Sequence, residues 1–296
     1  MPRLTKQEAL ELLKNTPLLE LGQKAYEFKK KLHPENITTF IVDRNINYTN
    51  ICNAGCKFCA FKRGVHDDDA YVLDLEVISQ KIEELIAIGG TQILFQGGVH
   101  PKLTIDYYET LVEYIHTKYP SITIHGFSAS EIAYIAKLSE LSVPDVLKKL
   151  QAKGLSSIPG AGAEILVDRV RNIISPNKQN TAEWLEIHRE AHKIEMKTTA
   201  TMMFGSVETD EEIVEHLEHL RNLQDETGGF RAFILWSFQP DNTPLFKEYP
   251  NITKATSNRY LRILALSRLY LDNFKNIQSS WVTQGSHIGQ SALLFG

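Results

Sequence analysis

The sequence predicts an α/β fold: an all-parallel, TIM-type (β/α) barrel preceded by an N-terminal helical extension. Three observations point to it. Seven short apolar runs with strand character are each followed by sequence of helical period. Glycines and polar residues gather at the C-terminal ends of those runs, the face on which such barrels build their sites. All 3 cysteines of the 296 residues fall in one loop directly after the first run.

The elements follow in chain order. Residues 5–31 have helical spacing in two pieces that break at Thr16-Pro17, and residues 1–35 are expected to form a helical cap on a barrel domain of residues 36–296. The first strand is expected over 38–48 and leads into the cysteine loop. A helix over 74–88 follows, with Leu75, Ile78, Ile82, Leu85 and Ile86 on one face and Gly89-Gly90 ending it. Further strands are expected at 92–95, 122–127, 155–158, 198–204, 230–236 and 277–282. Helices are expected at 105–118, from the capping serines within 128–131, and at 164–174, 181–194, 210–224, 257–271 and 285–295. Seven strands do not close an eight-stranded barrel. The expectation is therefore a missing eighth strand: either the chain ends early at Gly296 or another element covers the gap. An open doubly wound sheet is the alternative architecture.

Composition narrows the function classes. Apolar residues make up 43% and charged residues 23%, ordinary for a globular chain, and the net charge of −4 gives no electrostatic footprint for nucleic acid. No apolar run reaches transmembrane length, and no secretory signal is visible after Met1. Three grouped cysteines fit a reducing compartment, so a cytoplasmic location is expected, with no membrane and no nucleic-acid partner.

The cysteines themselves, Cys52, Cys56 and Cys59, are spaced Cys-x3-Cys-x2-Cys with Phe58 before the last. Without a fourth cysteine this chain alone builds no four-thiolate site. Three thiolates suffice for three irons of a cubane, leaving the fourth iron open to a non-protein ligand. The competing readings are a zinc site recruiting His66, and inert buried thiols. His66 precedes Asp67, Asp68 and Asp69, a solvated-turn pattern, and packing alone does not explain three cysteines within eight positions.

This spacing resembles the signature of the radical S-adenosylmethionine (radical SAM) superfamily. The resemblance implies a 4Fe–4S cluster on the three cysteines and S-adenosylmethionine on the open iron, with Phe58 lying beside it. Gln96-Gly97-Gly98, after the second strand, resembles the superfamily's glycine-rich stretch, whose backbone carbonyls meet the methionine amino group; Gln96 stands where an acid is usual. Ser128 and Glu131, after the third strand, resemble residues that contact the ribose or methionine carboxylate. Glu131 is equally readable as a helix-start acid.

Longer stretches, at residues 45–50, 154–166, 199–205 and 236–240, resemble the menaquinone-pathway radical enzymes and the related cofactor F420 ring-forming enzymes. Residues 40–44 and 204–209 favour the enzymes that close a ring within a futalosine-type nucleoside. Aminofutalosine synthase, a pathway neighbour and the alternative, tends to have histidine at the position of Ser206. The implied chemistry is hydrogen abstraction from a ribose and addition of the sugar radical to the substrate's own benzoate ring. The implied partners are a small-molecule nucleoside and a reducing electron donor such as flavodoxin or ferredoxin. A base is then required, with Asp43, His125 and Glu164 as candidates. Gly160 and Gly162 let backbone approach a ligand, and Ser206 joins them as a substrate-contact candidate. Arg169 is a candidate partner for the benzoate, against the reading that it pairs with a neighbouring acid. His188 and His192 lie one helical turn apart, but Arg189 stands where a zinc protease needs glutamate, so a solvated face is the better reading.

Overall fold

A computed structural model describes residues 3–35 and 37–296 of the chain. The expected domain boundary at residue 36 lies outside the described residues. In order, the elements are α1 (Lys6–Asn15), α2 (Leu18–Leu32), β1 (Asp43–Asn47), α3 (Leu75–Ala87), β2 (Gln92–Gln96), α4 (Ile105–Lys118), β3 (Thr123–Gly126), α5 (Ala129–Leu138), α6 (Val143–Ala152), α7 (Asp168–Ile174) and α8 (Thr181–Lys193). The chain continues through β4 (Thr198–Phe204), α9 (Asp210–Thr227), β5 (Phe230–Ser237), α10 (Pro244–Glu248), α11 (Ser257–Tyr270), β6 (Asn276–Gln278), α12 (Trp281–Gln284) and α13 (Ser286–Ser291). No helix among the described residues is long and apolar enough to cross a membrane.

The chain divides into two units. One comprises residues 39–162 and 175–198; the other comprises 1–38, 163–174 and 199–296. In the first, β1, β2 and β3 form a parallel sheet in that order, with Asn47 opposite Gln96 and Phe95 opposite Gly126. Single parallel bridges extend it from His125 to Ser157 and from Ile158 to Thr198. Residues Ile46, Ile93, Phe95 and Ile124 are fully buried, and Ile78, Ile82 and Leu85 of α3 join them from the periodic face. In the second unit the sheet order is β4-β5-β6, with β5 and β6 parallel. There, α2 packs on α11 through Leu21, Ala25, Ala265 and Leu269. Arg262 caps the end of α1 by donating to the carbonyls of Leu13 and Thr16.

Several elements differ from the sequence expectation, among them the final helix, which ends at Ser291 rather than 295. The first strand starts at Asp43 rather than residue 38, and Phe40 before it is 88% exposed. The run at 155–158 contributes only the two bridges, because Gly154 at φ +114° turns the chain into it and Pro159, lacking an N–H, ends it. The helix expected from residue 164 starts at Asp168, since Glu164 adopts a left-handed φ of +44° that no helix accommodates. The last strand stops at Gln278, and Trp281 begins a short helix.

Candidate active site around the cysteine loop

The first unit carries Cys52, Cys56, Cys59, Phe58, Gln96, Gly97, Gly98, Ser128, Glu131, Asp43, His125, Gly160 and Gly162; the second carries Glu164, Arg169 and Ser206. The cysteine loop leaves the C-terminal end of β1, and its base is held by side chains the motif does not include. Asn50 donates to the Asp69 carbonyl and accepts from the Tyr71 amide, both at 2.8 Å. The Thr49 hydroxyl donates to the Tyr71 carbonyl at 2.6 Å. The Cys52 amide donates to the Arg63 carbonyl, and the Arg63 amide donates back to Asn50. These bonds fix the loop before any ligand arrives.

Within the loop, Gly55 sits at φ +67°, a conformation that glycine adopts without penalty. The Cys59 amide donates to the Cys56 carbonyl, closing a tight turn, and the Ala54 amide donates to the Cys52 Sγ at 3.4 Å. Ala54, Cys56 and Val99 form one apolar cluster onto which Cys52, Phe58, Cys59 and Tyr134 pack. Cys56 is buried and the other two thiols are half-buried. No group of three His, Cys, Asp or Glu side chains is placed to hold a single metal ion among the described residues. A cubane instead takes one thiolate per iron, and three soft thiolates gathered in an apolar, loop-built cradle suit iron–sulfur ligation. Lys178 extends its ammonium over the Phe58 ring, 5.3 Å from the centroid. A recess of about 40 Å³ beside the loop is lined by Asn53, Val99, Ser130, Tyr134, Asn177 and Lys178.

The end of β2 comes close to this loop because it is glycine. A Cβ at position 98 would meet the Ile51 carbonyl oxygen at 2.2 Å, and one at 97 would meet the Tyr48 ring at 2.6 Å. The Gly98 amide donates to Thr49, and the Asn53 amide donates to Val99. Gln96 ends β2, and its carbonyl accepts from Asn47 Nδ2 at 3.3 Å. Ser128 caps α5 with Glu131 in a reciprocal capping box. Phe127 before it is held at φ +61°, an uncommon conformation for a bulky residue. Burial raises the Glu131 carboxyl above its ordinary range, against hydrogen bonds from Tyr48, Ser128 and Gly97 that favour the ionised form.

The remaining candidates are dispersed. His125 Nδ1 lies 2.7 Å from the Ser157 hydroxyl. Gly162, at φ +87°, leaves room for Ser130, whose Oγ would stand 2.9 Å from a Cβ there, and Gly160 is buried nearby in sequence. Asp43 occupies the opposite end of β1 from the loop, about 13 Å along the strand from Asn47. In the second unit, Glu164 is buried with its Oε2 3.9 Å from Arg171, whose guanidinium also donates to the Ala163 carbonyl. Ser206 donates through its amide and hydroxyl to Glu208. Arg169 pairs with Glu212 and donates to the Val207 carbonyl. His188 is buried, stacked on Trp184, and shares Thr198 with His192 rather than facing solvent.

Sequence reading gave Tyr48 and Asn50 only as part of the family-like stretch 45–50, with no role of their own, and did not single out Asn177 or Lys178. Asn50 carried a usable signal, an amide directly before a metal-binding loop; the others depend on contacts distant in sequence.

A loop of three thiols thus leaves the end of the first strand and packs against glycines at the end of the second. The profile of the radical SAM superfamily matches residues 46–220, and that of the CofH/MqnC C-terminal region matches residues 227–296. This chain belongs to the radical SAM superfamily. It is 45% identical over 294 residues to a cyclic dehypoxanthine futalosine synthase of Halalkalibacterium halodurans, covering 99% of this chain and 78% of the relative. A protein of the same name from Streptomyces coelicolor is 42% identical, with 99% and 73% covered. A 5-amino-6-(D-ribitylamino)uracil–L-tyrosine 4-hydroxyphenyl transferase of Methanococcoides burtonii is also 42% identical, with 99% and 81% covered. The fold is that of HydG, a maturase of the FeFe-hydrogenase, at a TM-score of 0.77 and 17% identity, covering 100% of this chain and 63% of that one. The chain thus has the TIM-type α/β fold of radical SAM enzymes.

Proposed function

We propose that this enzyme converts dehypoxanthine futalosine to its cyclic product in menaquinone biosynthesis. The observation that carries this reading is the 45% identity, spread over nearly the whole chain, with the synthase of Halalkalibacterium halodurans. Residues 204–209 support it, with Ser206 standing where aminofutalosine synthase tends to have histidine.

The residues take the following parts. Cys52, Cys56 and Cys59 would hold the 4Fe–4S cluster, one thiolate to each of three irons, with Phe58 packed on the same loop. The backbone at Gly97 and Gly98, next to Gln96, would receive the methionine amino group of S-adenosylmethionine, together with Ser128, which is tied to Gly97 through Glu131. When bound, these cofactors supply hydrogen-atom abstraction by one-electron chemistry, driven by a reduced flavodoxin or ferredoxin. The chain must then align the ribose with the substrate's own benzoate ring, where positioning is worth more than any single contact. Gly160, Gly162 and Ser206 are assigned to the substrate, and Arg169 to its carboxylate. Restoring the aromatic ring would require loss of one electron, within the one-electron chemistry the bound cofactors would supply, and of one proton to a base. His125 and Glu164 are the leading bases, since Asp43 lies at the far end of its strand.

The second reading is the transferase reaction, favoured by the 42% identity to the Methanococcoides burtonii protein. The test uses dehypoxanthine futalosine deuterated at the fourth ribose carbon. Deuterium appearing in 5′-deoxyadenosine supports the cyclase. No transfer, with turnover of tyrosine and 5-amino-6-(D-ribitylamino)uracil instead, supports the transferase.

A further inference from the structure

We propose that Glu131 and Tyr48 are positioning residues for S-adenosylmethionine, acting through the Gly97–Gly98 backbone. The inference rests on the reading of those two glycines as the cradle for the cofactor's amino group. It adds the device that holds the cradle in shape.

The observation is how Glu131 uses its two oxygens. Oε2 accepts from the Ser128 amide at 2.6 Å and the Ser128 hydroxyl at 2.7 Å, which completes the helix cap. Oε1 has no part in the cap. It accepts from the Tyr48 hydroxyl at 2.6 Å and the Gly97 amide at 2.9 Å, residues 83 and 34 positions away. A carboxylate needed only for the helix start would leave that second oxygen to water. This one is 3% exposed, and burying it is costly unless its lone pairs are filled.

The bonds fix the direction of successive peptide planes. The plane joining Gln96 to Gly97 is held at both ends, its N–H on Glu131 and its C=O on Asn47. The next plane has its N–H on the Thr49 carbonyl. A trans peptide turns its C=O opposite its N–H, so the Gly97 carbonyl faces away from Thr49. The Gly97 and Gly98 carbonyls accept no hydrogen bond among the described residues, whereas Val99 after them accepts from Asn53. Two acceptors are thereby left available between pinned neighbours. Tyr48 takes part twice: its hydroxyl meets Glu131, and its ring fills the space that any side chain at position 97 would enter. Preorganised acceptors bind a cationic amino group without first reordering the loop.

Two variants test this, Glu131→Gln and Tyr48→Phe. In the cluster-free protein, hydrogen exchange at the Gly97 amide should accelerate at least tenfold in Glu131→Gln and by a smaller factor in Tyr48→Phe. In reconstituted enzyme, the KM for S-adenosylmethionine should rise about tenfold and about threefold respectively, more than kcat falls, with iron content retained. If Glu131→Gln fails to fold, Tyr48→Phe decides the matter, because it keeps the ring and removes one donor. Unchanged Gly97 exchange, or an unchanged KM beside accelerated exchange, would overturn the positioning role. A wild-type protein that holds iron but binds no S-adenosylmethionine would instead refute the cofactor reading on which the proposal rests.

Discussion

The Arg169 guanidinium grips the Glu212 carboxylate with two parallel bonds, Nε to Oε1 and Nη2 to Oε2, each 2.6 Å. It holds the Glu212 carboxyl below its ordinary range, so the stabilisation is present at neutral pH and lost as pH falls through that lowered value. Arg169 is half exposed, which limits the pair to about 0.5–1 kcal/mol in a double-mutant cycle with Glu212. The carboxylate-binding role proposed for Arg169 demands more. Arg169→Ala should raise the substrate KM at least tenfold while leaving iron content and uncoupled cleavage of S-adenosylmethionine intact. An unchanged KM would leave only the ion pair.

His216 is fully buried, accepts from the Leu166 amide at 2.9 Å, and is pushed down to about 3 by burial. The unfolded chain binds this proton near pH 6.5 and the folded chain does not. Stability from His216 is therefore full above that value and falls as pH drops below it, with a slope approaching about 1.4 kcal/mol per pH unit. His216→Gln should flatten the decline of the thermal midpoint between pH 6.5 and 4. An equal decline in the variant would place the acid sensitivity elsewhere, with His188, also lowered by burial, as the next residue to vary.

Glu164 combines a left-handed backbone with a buried carboxylate facing the buried Arg171. Glu164→Gln removes the charge and keeps the shape. It should cost about 1–3 kcal/mol in denaturant unfolding, the penalty for an under-compensated buried cation. If Glu164 is also the base, cyclisation should fall by at least 10²-fold while cleavage of S-adenosylmethionine continues. Full cyclisation in a folded variant would assign the proton to His125.

Much of this was legible because it is local. Apolar runs at 92–96 and 198–204 form strands, and Gly89-Gly90 ends its helix, because period and turn chemistry act within a few residues. The cysteine spacing, also local, pointed to the superfamily whose profile matches residues 46–220. Residues 38–42 read as strand, yet Phe40 is left largely exposed, and propensity alone pairs no strand. The capping box of Ser128 and Glu131 was readable, but the reach of Glu131 to Tyr48 was not, since nothing in either neighbourhood encodes a contact across 83 positions. Likewise, Lys178 over Phe58 depends on how a distant loop returns to the cysteines.

Replacing Cys52, Cys56 or Cys59 singly with alanine should remove most iron and the broad visible absorbance of the reconstituted protein, and abolish cleavage of S-adenosylmethionine. All three lie in one apolar cluster on a loop pinned by Asn50 and Thr49, so the apo fold should survive each change. Retention of cluster absorbance in any one variant would remove that cysteine from the ligand set.

The most direct measurement of the central claim is anaerobic incubation of the reconstituted, reduced enzyme with S-adenosylmethionine and dehypoxanthine futalosine, followed by mass analysis of the nucleoside. A product two hydrogens lighter than the substrate, formed together with 5′-deoxyadenosine, is expected. Unaltered dehypoxanthine futalosine, from an enzyme that still cleaves S-adenosylmethionine and joins two separate substrates instead, would contradict it.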